Sequence, residues 1–289
     1  MNIIVQRSVW PMAALLALVV TGCGSIPTGR YQAFSAAGED VQSAISETDI
    51  RIEKRLRDFV VLTAPDNLIT AKTFSPSIGG NSFDITSQLR SREAVLDVLV
   101  KYSKVLESLA GKDFSTDVDK SAQNLAASLN GLPSVGEGSN AGKLLATIAD
   151  SIAVGVTESK RRDALKSAMT TAQPAVESIC KLLQRDYDKI TMYVNLMRDR
   201  YIDHANANRP KFGTWQRYKF DGEVAADLEE FQQINDALAS ASLAIQKLPA
   251  AHRQLLDGLD SKEPPLDALR DVIHKAQQLR GFYRDLPSN

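Results

Sequence analysis

The sequence predicts an all-α fold, an antiparallel bundle of long amphipathic helices with coiled-coil character, on three observations. Apolar residues recur in steps of three and four along most of the chain. No segment sustains the period-two alternation of β-branched residues that marks a half-buried strand. Glycine or proline closes several of the apolar stripes, as at helix ends. The composition agrees: of 289 residues 44% are hydrophobic, 24% charged and 6% aromatic, with a net charge of -1. Those values exclude a multi-span membrane protein, a disordered chain and a disulfide scaffold. A near-zero charge also argues against a nucleic-acid partner, which requires a basic surplus.

The first segment is read as a processing signal and set apart from the fold. Arg7 is its one charged side chain, and residues 12–20 (MAALLALVV) are unbroken apolar sequence. That run is too short for a bilayer span of about 20 residues, and it suits a signal peptide. It leads into Val20-Thr21-Gly22-Cys23, which resembles the lipobox of bacterial lipoproteins. The resemblance implies a signal peptide over residues 1–22, cleavage before Cys23, and lipid on the Cys23 sulfur and new amino group. Several acyl chains anchor stably where one binds reversibly. Gly24 rather than Asp follows Cys23, which resembles the default pattern exported to the outer membrane of Gram-negative cells. The implied location is the cell envelope, lipid-anchored, with the domain facing the periplasm in such a cell. Residues 23–29 then form the lipidated cysteine and a short tether, its last six residues reaching roughly 20 Å when extended. Residues 30–289 are read as a single helical-bundle domain.

The stripes follow in chain order. Val41, Ile45, Thr48, Ile52, Leu56 and Phe59 make the first, ended by Pro65. Val95, Leu99, Tyr102, Leu106 and Leu109 make the second, closed by Gly111. Val118, Ala122, Leu125, Leu129 and Leu132 run up to Pro133, and Leu145, Ala149, Ile152 and Val156 open a fourth. The longest frame is Val176, Cys180, Leu183, Tyr187, Ile190, Val194, Met197 and Tyr201, in unbroken alternation of four and three. Leu165, Met169 and Ala172 extend it backwards across Pro174, so both sides of that proline are expected to face one core. Phe231, Ile234, Leu238, Ala241, Ile245 and Leu248 form the next stripe. Leu269, Val272, Ala276, Leu279 and Tyr283 form the last, after Pro264-Pro265. Such spacing favours long, near-parallel packing. Irregular breaks are expected at residues 63–83, 131–142 and 208–222.

Catalytic and metal-binding patterns are missing from the residues. Residues 136–144 (GEGSNAGKL) carry Glu137 and Leu144 where a phosphate-binding loop needs Gly and Ser or Thr. His204, His252 and His274 lack zinc-ligand spacing and are read as surface or capping residues. Arg51, Glu53, Lys54, Arg55, Arg57 and Asp58 read as a solvated helix face. With Cys23 acylated, Cys180 has no disulfide partner, and its place in the longest stripe makes it a buried small hydrophobe. No catalytic residue, metal or cofactor is therefore assigned beyond the covalent lipid on Cys23.

One segment has an unusual composition. Residues 209–220 (RPKFGTWQRYKF) combine four aromatics with four bases and no acid. Lys211, Phe212, Trp215, Arg217, Tyr218 and Lys219 are the candidate interaction surface, suited to an anionic partner, a glycan or a lipid headgroup. Buried aromatics outnumber exposed ones, so Trp215 itself is expected to plug the bundle end with the bases facing outward. The function expected is non-catalytic: an envelope lipoprotein whose partners are the membrane, through its anchor, and another envelope protein. The alternative is a carrier that holds an apolar small molecule between helices.

Overall fold

The computed structural model describes residues 26–63, 77–78, 81–82, 85–111, 114–130, 147, 157–261 and 266–284. The lipobox, the loop at 136–144 and the stripe at 145–156 lie outside the described residues. Six helices make up the described fold: α1 Thr28–Thr63, α2 Ile85–Ala110, α3 Phe114–Asn130, α4 Arg161–Asn208, α5 Thr214–Asp257 and α6 Asp267–Arg284. Within the break after α1, Ser77–Ile78 (β1) pairs antiparallel with Asn81–Ser82 (β2). No helix among the described residues is long and apolar enough to cross a membrane.

The apolar stripes become the core. Val41, Ile45, Thr48, Ile52 and Leu56 of α1 are buried, and the earlier turns add Tyr31, Phe34 and Ala37. α1 starts at Thr28 and Ile26 packs against the core, so folded structure begins inside the stretch 23–29 read as a tether. The long frame of α4 is buried from Leu165 to Met197, and α5 and α6 bury their stripes likewise. All of these join one continuous apolar cluster. Leu99 of α2 is only partly buried while Leu96, Val98 and Val105 are fully inside. The reason is that α2 packs against α1, α3 and α4 together, so its buried arc is wider than one stripe.

Side-chain bonds fix the directions. Gln42 and Ser46 of α1 bond Asp97 and Glu93 of α2, and Tyr31 and Arg55 of α1 reach Leu255 and Glu230 of α5. Gln173 and Asn195 of α4 meet Pro249 and Asn235 of α5, and Lys247 of α5 meets Asp271 of α6. Gln254 of α5 also accepts from the Ala268 N–H of α6. Residue numbers thus rise on one helix as they fall on the other in the pairs α1–α2, α1–α5, α4–α5 and α5–α6, which are antiparallel. α1 and α6, both antiparallel to α5, run parallel. The N-terminus of α1, the C-termini of α2 and α5 and the N-terminus of α4 therefore share one end, the base.

α4 runs unbroken for 48 residues through Pro174. That proline withholds one backbone donor, but neighbouring Gln173 donates its side-chain amide to the carbonyl of Pro249, the proline within α5. α4 is about 72 Å long at 1.5 Å per residue, against about 54 Å for α1. Among the described helices the α4–α5 hairpin consequently runs past the others. Buried residues of α5 begin only at Phe231, and beyond Met197 α4 buries only Ala205.

Candidate functional site

The far end of this hairpin holds the candidate interaction surface. The turn is short: a 3-10 turn Arg209–Lys211, then Phe212 and Gly213, with α5 starting at Thr214. The break expected over 208–222 is thus confined to its first third, and Trp215, Arg217, Tyr218 and Lys219 are helical. Gln216 accepts the Gly213 N–H at 3.3 Å, Lys211 donates to Asn208 at 2.9 Å, and Arg217 donates to the Phe212 carbonyl at 3.1 Å. Arg209 forks onto both carboxylate oxygens of Asp221 at 2.7 Å. That pairing holds the Asp221 carboxyl below the usual carboxylate range.

The aromatics divide into two pairs. Phe212 and Phe220 are half-buried, with ring centroids 4.9 Å apart, and they close the turn. Trp215 and Tyr218 stack on each other at 5.6 Å and are 67% and 70% exposed. The Lys219 ammonium lies 5.6 Å from the Trp215 ring. The expectation that Trp215 plugs the bundle end is therefore wrong. Among the described residues nothing covers the indole, which is largely in water.

A second exposed feature was legible but not read. Leu182, Met192 and Leu196 of α4 stand exposed, Met192 at 72%, as does Leu243 of α5. Leu182, Lys189, Met192 and Leu196 follow steps of seven, three and four, an outer frame offset from the buried one.

Two readings of charged and polar residues need correction. Arg55 is buried instead of solvated, because α5 packs over that part of α1 and supplies Asp227 and Glu230 as partners. His252 is fully buried instead of superficial. The Gln173 amide nitrogen faces the Pro249 carbonyl, so its oxygen must accept from His252 Nδ1, at 2.5 Å. Nε2 is left to accept the Tyr102 hydroxyl at 2.9 Å. Both contacts suit neutral imidazole, and burial pushes the His252 pKa down to about 3. His204 is partly exposed and His274 exposed, as expected.

Cys180 is buried with no disulfide, and burial pushes its thiol up to about 12. Asp49, Arg92 and Tyr187, from α1, α2 and α4, form a buried polar group. Arg92 stands 5.7 Å from the Tyr187 ring, but neither Asp49 oxygen, neither Arg92 terminal nitrogen, nor the Tyr187 hydroxyl is hydrogen-bonded within the chain. Burial raises the Asp49 carboxyl to about 7 although Arg92 pulls it down, and lowers Arg92 although Asp49 raises it. Desolvation outweighs attraction for both partners because they are near but not paired.

Between α1, α2, α4 and α5 an apolar cavity of about 30 Å³ is lined by Phe34, Val41, Leu96, Val176, Leu248 and His252, among others. Sites for small-molecule ligands enclose roughly 300–1,000 Å³. This space admits a water or a methyl group. Among the described residues no cluster of His, Cys, Asp or Glu could hold a metal ion. Comparison with protein-family models, curated proteins and solved structures finds no match.

Proposed function

We propose that the chain is a membrane-anchored, non-catalytic lipoprotein of the cell envelope that works through contacts along its α4–α5 hairpin, including contact with a protein partner. The observation that carries this reading is the distribution of apolar surface. Of eight exposed large hydrophobic residues among the described ones, six lie on this hairpin: Leu182, Met192, Leu196, Trp215, Tyr218 and Leu243. Exposed apolar side chains gathered along one hairpin are characteristic of contact surfaces. The anchor rests on Val20-Thr21-Gly22-Cys23. In a Gram-negative cell the domain would face the periplasm from the outer membrane.

Two experiments test the two halves. Cys23→Ala should leave an unlipidated product, uncleaved or soluble; unchanged mature size and membrane extraction would end the lipoprotein reading. Met192→Glu together with Leu196→Glu should abolish co-purification of the envelope partner while leaving the melting temperature almost unchanged, since both side chains are already in water. Retained co-purification would remove the flank from the contact surface. The alternative, a carrier of an apolar molecule, has the apolar lining of the cavity in its favour. It requires the four helices to part, and saturable uptake of an apolar fluorescent probe would establish it.

A further inference from the structure

We propose that the tip of the α4–α5 hairpin is a membrane-contacting head, which seats Trp215 and Tyr218 in the interface of an anionic lipid surface while Lys211, Arg217 and Lys219 meet the headgroups. The aromatic residues are of the right kind. Tryptophan and tyrosine present an apolar ring with a polar edge, which suits the headgroup level of a bilayer. Here both rings stand in water, stacked on each other and not covered by any other described residue.

The charge is complementary to such a surface. From His204 to Phe220 the chain contains Arg209, Lys211, Arg217 and Lys219 and no acidic residue. Asp221 neutralises Arg209, which leaves three cations on the turn and the first turns of α5. Each basic residue near an anionic membrane adds attraction that falls off within a Debye length.

Shape separates a lipid surface from a protein. A stable protein interface takes about 800 Å² and 20–30 residues from each partner, with a packed centre. The tip is the end of two helices joined by a five-residue turn, residues 209–213. A fluid headgroup layer moulds around such a narrow end, whereas a folded protein would have to present a matching concavity.

Position adds a consequence that rests on the lipid anchor proposed above. The base carries the N-terminus of α1, three residues into the sequence after Ser25, and Tyr31 there bonds the carbonyl of Leu255. From Leu255 back to Trp215, α5 spans about 60 Å. An upright anchored domain would hold its head about that far from the membrane that holds the anchor, against a second lipid surface.

The test uses the full chain with Trp10→Phe, which leaves Trp215 as the one tryptophan. Its emission is read while vesicles of phosphatidylglycerol and phosphatidylcholine in equal parts are added, with pure phosphatidylcholine vesicles as the comparison. The apolar residues 12–20 can enter both kinds of vesicle, but Trp215 reports only its own surroundings. The expected result is a blue shift and quenching by brominated lipid on the anionic vesicles only, reversed by high salt. Replacing Lys211, Arg217 and Lys219 together by Gln should weaken this response roughly a hundredfold. Emission unchanged by anionic vesicles would overturn the proposal, and so would an equal, salt-independent shift on both kinds. A shift produced by soluble polyglutamate but not by vesicles would also overturn it, in favour of an acidic polypeptide. None of these readings depends on Cys23, so failure of the head and failure of the anchor are separately visible.

Discussion

His252 and Asp49 bind protons in opposite senses on folding, and together they shape how stability depends on pH. His252 has its pKa lowered from 6.5 to about 3, so between those values the unfolded chain binds the extra proton. Stability from this residue is present above pH 6.5 and is lost as pH falls toward 3, by roughly 4–5 kcal/mol. Asp49 is raised from 3.8 to about 7, so between those values the folded chain holds the extra proton. Its contribution is full below 3.8 and is lost as pH rises to 7, by roughly 4 kcal/mol. The two slopes nearly cancel between about pH 4 and 6.5. Urea unfolding across that range should therefore show a shallow profile for the native chain, a rising one for Asp49→Asn and a falling one for His252→Gln. Parallel profiles for all three would show that these groups do not titrate as described. Cys180 supplies a check on burial alone: with its thiol pushed up to about 12, it should resist thiol reagents until the chain unfolds. Rapid labelling under native conditions would place it elsewhere.

At the scale of the helices, α1 has an interior glycine with room to spare. A Cβ on Gly38 would meet Val100 at 3.6 Å and Ser103 at 3.7 Å, ordinary van der Waals distances beside the apolar cavity. Gly38→Ala should raise stability by about 1 kcal/mol, from helix propensity and a smaller void. A loss, read by chemical denaturation, would mean that α1 and α2 approach more closely than described. In the hairpin, α5 begins at Thr214, inside the stretch 208–222 expected as a break. Residues 214–222 show no clean apolar stripe, since none of them is fully buried, and they therefore read as part of a break in the sequence. They are helical all the same, since α4 continues beside them and Tyr201 bonds Asp227 across the pair. Trp215→Ala at this end should leave the melting temperature almost unchanged. A fall of several degrees would restore the indole to a packing role.

At the scale of the molecule, the hairpin sets the length. A compact chain of this size would have a radius of gyration of about 19 Å. Small-angle scattering should exceed that, with a maximum dimension of at least about 70 Å from α4 alone. A compact profile would mean that the hairpin folds back on the bundle. Extension separates the two ends: α1 begins at the base, and the hairpin tip presents Trp215 and Tyr218 at the other end.

The sequence by itself determined the class of fold and nearly every buried face. The run from Leu165 to Met197 keeps one frame for nine turns, and only a helix places residues at such steps on one side. It also marked the segment 209–220 as unusual, through composition. What it left open is whatever depends on which helices become neighbours. His252 and Arg55 look like surface residues within their own helices, and they are inside because α2, α4 and α5 close over them with matching partners. Trp215 looks like a core residue and is outside because none of the other described helices covers the tip of the α4–α5 hairpin. Periodicity records the face a helix buries, since that face is local. Burial of a single polar or aromatic side chain depends on the lengths and registers of other elements, and only the tertiary structure sets those.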